Sequence, residues 1–366
     1  MNGSLHANCR AAQGEVDPIC KPKDILPPPG NNPPGNNPPG NNPPTVNPPV
    51  LPPPPVVNVP PAPPIQYVES DSGQGLVPAC PNWIVFHSFR SGDLEVFRLD
   101  GIEGMQGVQP INLSQNSSVD SRPSRSANGQ WVVFQSDRHN NVELYLTDSE
   151  GKTQTRMTNT QSNNINAMFG PDNTTVLYQS DRNGNWDIFL LNKDTGEELQ
   201  LTSDTADDVN PFWSPDKNWF TYQSNRTGSW NVYVFDISTG TEYQVTSFSN
   251  DVLFPSWSPN GKQLAFFINT AGQWDLYVSD IQGKSFKQIS ISGDAGNATW
   301  SPEGERIAYQ VTSGGNTDVF TYDLVTNTEY QLTDFDGVDS APTWNCGGTE
   351  VSFTSNRNGN PDIFAT

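Results

Sequence analysis

The chain has 366 residues and a formal net charge of −21, enough length for a substantial buried core. That surplus of carboxylates excludes nucleic acid and anionic membrane surfaces as partners. No stretch is long and apolar enough to serve as a transmembrane segment.

The chain divides into two unlike parts. Residues 1–24 form a small head that carries Cys9 and Cys20, and its opening "MNGSLHANCRAAQG" has no apolar core, so no intact secretory leader is expected in it. Residues 25–64 are a spacer rich in Pro, Gly and Asn, built around "PPPGNNPPGNNPPGNNPP". Of the 33 prolines in the chain, 21 fall before residue 65. Proline removes backbone donors and favours polyproline II geometry, so this segment cannot build a core of its own. Extended from Pro27 to Pro64 it would reach on the order of 100 Å, at ~3.1 Å per residue. A tail of that kind tethers the rest of the chain to a partner, a neighbouring copy of the protein included.

Residues 65–366 repeat. The turns "HSFRSGDLEVF", "QSDRHNNVELY", "QSDRNGNWDIF", "QSNRTGSWNVY", "FINTAGQWDLY", "QVTSGGNTDVF" and "TSNRNGNPDIF" align on Glu95, Glu143, Asp187, Asn231, Asp275, Asp318 and Asp362, with spacings of 48, 44, 44, 44, 43 and 44. Each unit reads as four short strands: a "WSP" stretch, an apolar strand such as "WFTYQS", a hairpin partner such as "NVYVFD", and an outer "YQVTS". Four strands per 44 residues, seven times over, predict an all-β fold, a seven-bladed β-propeller. Both faces of a blade pack on neighbours, which suits continuous apolar strands such as "WIVF" and "WVVF".

The strings "WSPNGKQLAF" (257–266), "WSPEGERIAY" (300–309) and "SDRNGNWDIF" (180–189) resemble the repeat of TolB-type β-propellers. The resemblance covers about residues 65–366 and implies the fold and a protein-binding role. The chain departs from TolB in carrying a proline tail where TolB has an α/β domain, and in counting seven repeats where TolB is similar to a six-bladed ring.

The seventh unit lacks an outer strand. Sliding "IQYVESDSGQGLVPACP" (65–81) forward by 133 residues places Tyr67 on Gln200, Val68 on Leu201 and Pro78 on Pro211 without a gap. Residues 65–69 are therefore expected to close the ring, with Tyr67 and Val68 beside Ile363 and Phe364. Four cysteines allow three pairings. Cys80 and Cys346 both fall at the end of an innermost strand, in the two units that meet at this seam, so a Cys80–Cys346 bond is expected, with Cys9–Cys20 in the head. Paired cysteines place the protein in an extracellular or periplasmic compartment.

Two acidic sets are candidates for chemistry. "DRNGNWD" sets Asp181, Asn183, Asn185 and Asp187 at the alternate spacing of a calcium loop, but its glycine is misplaced for one, so a turn acid paired with the turn arginine (Arg182, Arg357) is the expected role. Asp120, Asp208, Asp251, Asp294 and Asp339 precede inner strands and would crowd one channel mouth, where they would suit a cation or a basic peptide, or simply cap their turns. No cofactor is expected, and calcium is the one metal this set would suit. Trp186, Trp230 and Trp274 share a repeat position, read as blade packing over a sugar platform. No GxSxG or HExxH motif is present. The sequence thus reads as a non-enzymatic secreted module that binds protein or assembles with itself through its tail. The rival is a propeller glycan hydrolase or lyase, or a carbohydrate-binding protein, using the channel-mouth carboxylates.

Overall fold

In the computed structural model, which describes residues 83–89, 91–100, 109–290, 293–345, 347–357 and 362–366, the repeat forms seven antiparallel sheets set as the blades of a propeller. The first blade shows β1 (Trp83–Ser88), β2 (Glu95–Asp100) and β3 (Ile111–Asn112), and the second β4 (Asp120–Arg125), β5 (Trp131–Ser136), β6 (Glu143–Asp148) and β7 (Gln154–Arg156). The third has β8 (Asn164–Phe169), β9 (Thr175–Ser180), β10 (Asp187–Asn192) and β11 (Glu198–Gln200), and the fourth β12 (Asp208–Trp213), β13 (Trp219–Ser224), β14 (Asn231–Asp236) and β15 (Thr241–Gln244). The fifth has β16 (Val252–Trp257), β17 (Gln263–Thr270), β18 (Gln273–Asp280) and β19 (Phe286–Gln288), and the sixth β20 (Asp294–Trp300), β21 (Arg306–Ser313), β22 (Asn316–Asp323) and β23 (Thr328–Gln331). The seventh shows β24 (Asp339–Trp344), β25 (Val351–Ser355) and β26 (Asp362–Ala365).

The expected acid-type residue opens the third strand of most blades. The fifth and sixth differ because their hairpins turn on two residues only, Ala271-Gly272 and Gly314-Gly315. All four have positive φ, as a tight hairpin requires. The strands on either side lengthen to eight residues, so Asp275 and Asp318 become third in theirs.

Recurring side chains have recurring tasks. The serine of "WSP", and Ser126 at its place in the second blade, cap the first turn: Ser126, Ser214, Ser258 and Ser301 accept the backbone N–H five residues on, at 2.9–3.0 Å. A hydroxyl after each outer strand accepts an N–H from the third strand, as Thr202 does from Ile188 and Thr246 from Val232, both at 2.9 Å. Inner-strand tryptophans join neighbouring blades: Trp213, Trp257 and Trp344 donate Nε1–H to the carbonyls of Met168, Phe212 and Thr299. The middle strands are buried on both faces, with Val132, Val133, Phe134, Phe220 and Phe266 wholly inaccessible.

The head, the spacer, the closing strand with Tyr67 and Val68, and Cys9, Cys20, Cys80 and Cys346 lie outside the described residues. Among the described residues no helix is long and apolar enough to cross a membrane.

Candidate functional site

The first strand begins, and the second ends, on the same side of each blade whose inner strand is described. The candidate acids therefore meet the hairpin turns there. Arg138, Arg226 and Arg357 each follow the second strand by two residues, and each holds the first residue of the inner strand beside it. Arg138 pairs with Asp120 at 3.1 Å, Arg226 with Asp208 at 3.0 Å and Arg357 with Asp339 at 2.8 Å. The expected pairing of turn arginine with hairpin acid is therefore corrected, for geometric reasons. The arginine's Nε is spent on the serine closing the second strand (Ser136, Ser224, Ser355), which points the fork sideways toward the inner strand. The hairpin acids find other donors: Asp187 accepts from Asn183 and Gln200, and Glu143 from Asn141, Thr160 and Arg156. In the third blade Arg182 meets Asn164 at 3.1 Å instead of an acid. The fifth and sixth blades lack both members, with Val252 and Ala295 at the acid's place and no turn arginine.

Asp120, Asp208 and Asp339 are wholly buried. Burial pushes the Asp208 carboxyl up to about 6, against the opposing pull of Ser224 and Arg226, and raises Asp120 for the same reason. Asp251 and Asp294 belong to a different position, one residue earlier in the repeat. They are exposed, and each accepts the backbone N–H of a tryptophan in the preceding blade, Trp230 at 3.0 Å and Trp274 at 2.7 Å. Asn163 and Asp207 do the same for Val142 and Trp186. The five aspartates are thus two columns. Among the described residues no three His, Cys, Asp or Glu side chains come together as metal ligands would. In the calcium-like string, Asn183 turns its amide nitrogen toward Asp187 while Asp181 accepts from Asn163, so their oxygens do not converge. Of the tryptophans, Trp186 is buried and Trp274 packs against a blade core.

Sequence reasoning missed a third column. Each described inner strand breaks register with its neighbour at one bulge, and the residue there has positive φ: Arg122, Asn166, Asn210, Phe254, Asn297 and Ala341. These are partly exposed on strands otherwise largely buried, as expected of side chains turned to the propeller axis. Asn166 Nδ2 donates to Asn210 Oδ1 of the next blade at 2.8 Å. Behind them, second-strand side chains of the preceding blade accept the bulge N–H: Gln135, Gln179, Gln223 and Gln310 through Oε1, and His87 through Nδ1. Burial, with the nearby Arg122 charge, pushes His87 down to about 4. The one signal in the sequence is an asparagine that recurs at this place in three inner strands, Asn166, Asn210 and Asn297, and Arg122, Phe254 and Ala341 interrupt it.

The seventh blade presents a concavity of its own. A groove of about 490 Å³ beside β26 is lined by Leu332, Phe335, Phe353, Arg357 and Phe364 among others. Ile363 pairs with Thr354 across β25 and β26, and the Phe364 ring stacks on Phe353 at 6.1 Å.

The fold is shared with proteins of diverse activity. A putative TolB from Agrobacterium tumefaciens is 19% identical, with a TM-score of 0.51 over 70% of this chain and 93% of its own. A puromycin-hydrolysing peptidase of Mycobacterium tuberculosis is 16% identical, with a TM-score of 0.59 over 75% of this chain but only 48% of its own. An oligogalacturonate lyase from Vibrio parahaemolyticus is 13% identical, with a TM-score of 0.50 over 78% of this chain and 96% of its own. No curated sequence matches the chain. The family model described as the TolB beta propeller domain matches residues 80–197, 182–290 and 242–366, and the chain belongs to that family.

Proposed function

We propose that the protein is a non-catalytic binding module of an extracellular or periplasmic compartment, tethered by residues 1–64 to neighbouring copies of itself. The observation that carries this reading is the use made of the acids. A glycan hydrolase or lyase needs carboxylates free to give and take protons. Here Asp120, Asp208 and Asp339 are each occupied by a guanidinium, and Asp251 and Asp294 by backbone donors. The protein-binding role implied by the family accords with this.

Among the described residues no strand pairs with the outer side of β26, and this edge supports the assembly reading. It offers strand-pairing groups next to an apolar groove. Residues 65–69 of the same chain have the composition to fill it, which leaves residues 1–64 free to engage another copy. A contact between unlike surfaces repeats from copy to copy, and tethering raises its effective concentration. Light scattering of the full chain against one beginning at Pro64 tests the proposal. The full chain is expected to gain mass with concentration while the shortened one stays monomeric. Equal monomeric masses would remove self-assembly, and cleavage of polygalacturonate by the full chain would remove the non-catalytic reading.

A further inference from the structure

Among the described residues no carboxylate pairs with Arg122. Every other arginine among the described residues except Arg125 is ion-paired. Arg122 donates its backbone N–H to His87, and its guanidinium has no hydrogen bond or ion pair among the described residues. Arg125, in contrast, is closed in by its own blade interface and stacks on the Trp83 ring at 4.8 Å. Arg122 is partly exposed, at an inner-strand bulge with φ of 49°, in the same column of bulges. A half-buried cation without a counter-ion is poorly compensated, the more notable in a chain with a net charge of −21. Burial lowers Arg122 to about 10, and no neighbour restores it.

The other described members of the column carry no charge. In ring order Arg122 is followed by Asn166, Asn210, Phe254, Asn297 and Ala341. The 133-residue register assigns Val77 to the seventh place, which lies outside the described residues. Asn166 and Asn210 are linked side by side, and Asn166 Oδ1 is buried with no partner. The bulge backbones are held from behind by glutamines and His87, so the ring is preorganised and not loosely draped.

We propose that the propeller channel receives the free C-terminal carboxylate of a peptide chain, with Arg122 as the cation that grips it. A guanidinium fork matches a planar carboxylate through two parallel N–H donors. Asn166 spends both amide hydrogens on Gln179 and Asn210, which turns the Asn210 amide nitrogen to a peptide carbonyl, and Phe254 follows as an apolar wall for a last side chain. A single cation selects a ligand with a single terminal charge. An oligouronate carries a carboxylate on each sugar and would set the others against an acidic protein. This assignment rests on reading the protein as a binding module.

The test uses the full chain and a pool of N-acetylated pentapeptides, randomised at their last two positions, prepared both as free acids and as C-terminal amides. Peptides retained by the protein are read by mass spectrometry, with trigalacturonate as a competitor. Free acids with an apolar last residue are expected to be retained at least tenfold over their amides. Arg122→Asn should abolish that preference with its melting temperature kept, because asparagine occupies the same bulge in three other blades. Arg122→Lys, which keeps the charge without the fork, should retain part of it. Equal retention of acids and amides, or an undiminished preference in Arg122→Asn, overturns the proposal. Trigalacturonate bound in place of the peptides overturns the peptide assignment. Consumption of any probe would instead refute the non-catalytic reading, and intact, unbound probes refute this inference alone.

Discussion

At the scale of single residues, the chain contains its own control experiment. Asp208 and Asn164 occupy the same place in adjacent blades, one facing Arg226 and the other Arg182. Asp208→Asn should therefore cost only about 1 kcal/mol, the usual worth of one exchanged hydrogen bond. Asp208→Ala should cost about 3 kcal/mol, because it leaves a guanidinium beside a buried gap. The pH dependence separates these further. The folded Asp208 carboxyl holds its proton up to about 6, above its ordinary 3.8. Between those values the folded state binds more protons than the unfolded one, so this group's contribution falls as pH rises from about 4 to about 6. Denaturant titrations across that range should show a steeper fall for the parent than for Asp208→Asn. Parallel curves for the two would mean that Arg226 fully offsets burial. The arginine column was legible in the sequence as "SDR" and "SNR", but its partner was not. Sequence neighbours suggested the hairpin acid, whereas antiparallel pairing brings the inner-strand residue, 18 positions earlier, within reach.

At the scale of strands and turns, glycines separate backbone conformation from packing. Gly240 and Gly283 have almost the same φ, 67° and 65°. A Cβ at Gly240 would meet nothing within 4 Å, while one at Gly283 would lie 2.0 Å from the carbonyl oxygen of Val245 in the preceding blade. Gly240→Ala should thus cost about 1 kcal/mol for the left-handed backbone alone. Gly283→Ala should cost about 2–3 kcal/mol more, as the two blades are forced apart. Chemical denaturation of both variants measures the difference, and equal losses would show that the blade junction yields. Strand order and hairpin positions were readable because alternating turn chemistry and apolar runs repeat with a fixed period. The inner-strand bulges were not, since a left-handed residue leaves no mark when it is arginine, phenylalanine or alanine as well as asparagine. The same blindness merged two columns into one. Asp251 and Asp294 sit a single residue from the place of Asp208, and a one-residue shift in a strand moves a side chain to the other face.

At the scale of the whole ring, the decisive question is what completes the seventh blade. In the second, third and fourth blades the turn arginine finds a partner on the outer strand: Gln154 for Arg138, Glu198 for Arg182 and Glu242 for Arg226. Arg357 has no such partner among the described residues, and stacks over the rings of Phe335, Phe353 and Phe364 at 5.3, 5.3 and 4.5 Å. The 133-residue register puts Ile65 where Glu198 would stand, an apolar residue for an apolar groove. If residues 65–69 form the closing strand in this register, Ile65→Glu would create the missing ion pair. A double-mutant cycle of Ile65→Glu with Arg357→Ala should then show coupling of about 0.5–1 kcal/mol, the usual value for a partly exposed pair. Deleting residues 65–69 should lower the melting temperature and promote aggregation through the uncovered edge. A Cys80–Cys346 bond found by non-reducing peptide mapping would fasten the same seam, and loop entropy allows it about 4 kcal/mol. The cycle discriminates where deletion cannot, because deletion also shortens the tether. Zero coupling, together with a deletion that leaves melting and solubility unchanged, would mean that the edge beside Phe364 is closed by some other segment or left open for one. Coupling that appears only as the protein concentration rises would mean that the strand comes from a second copy.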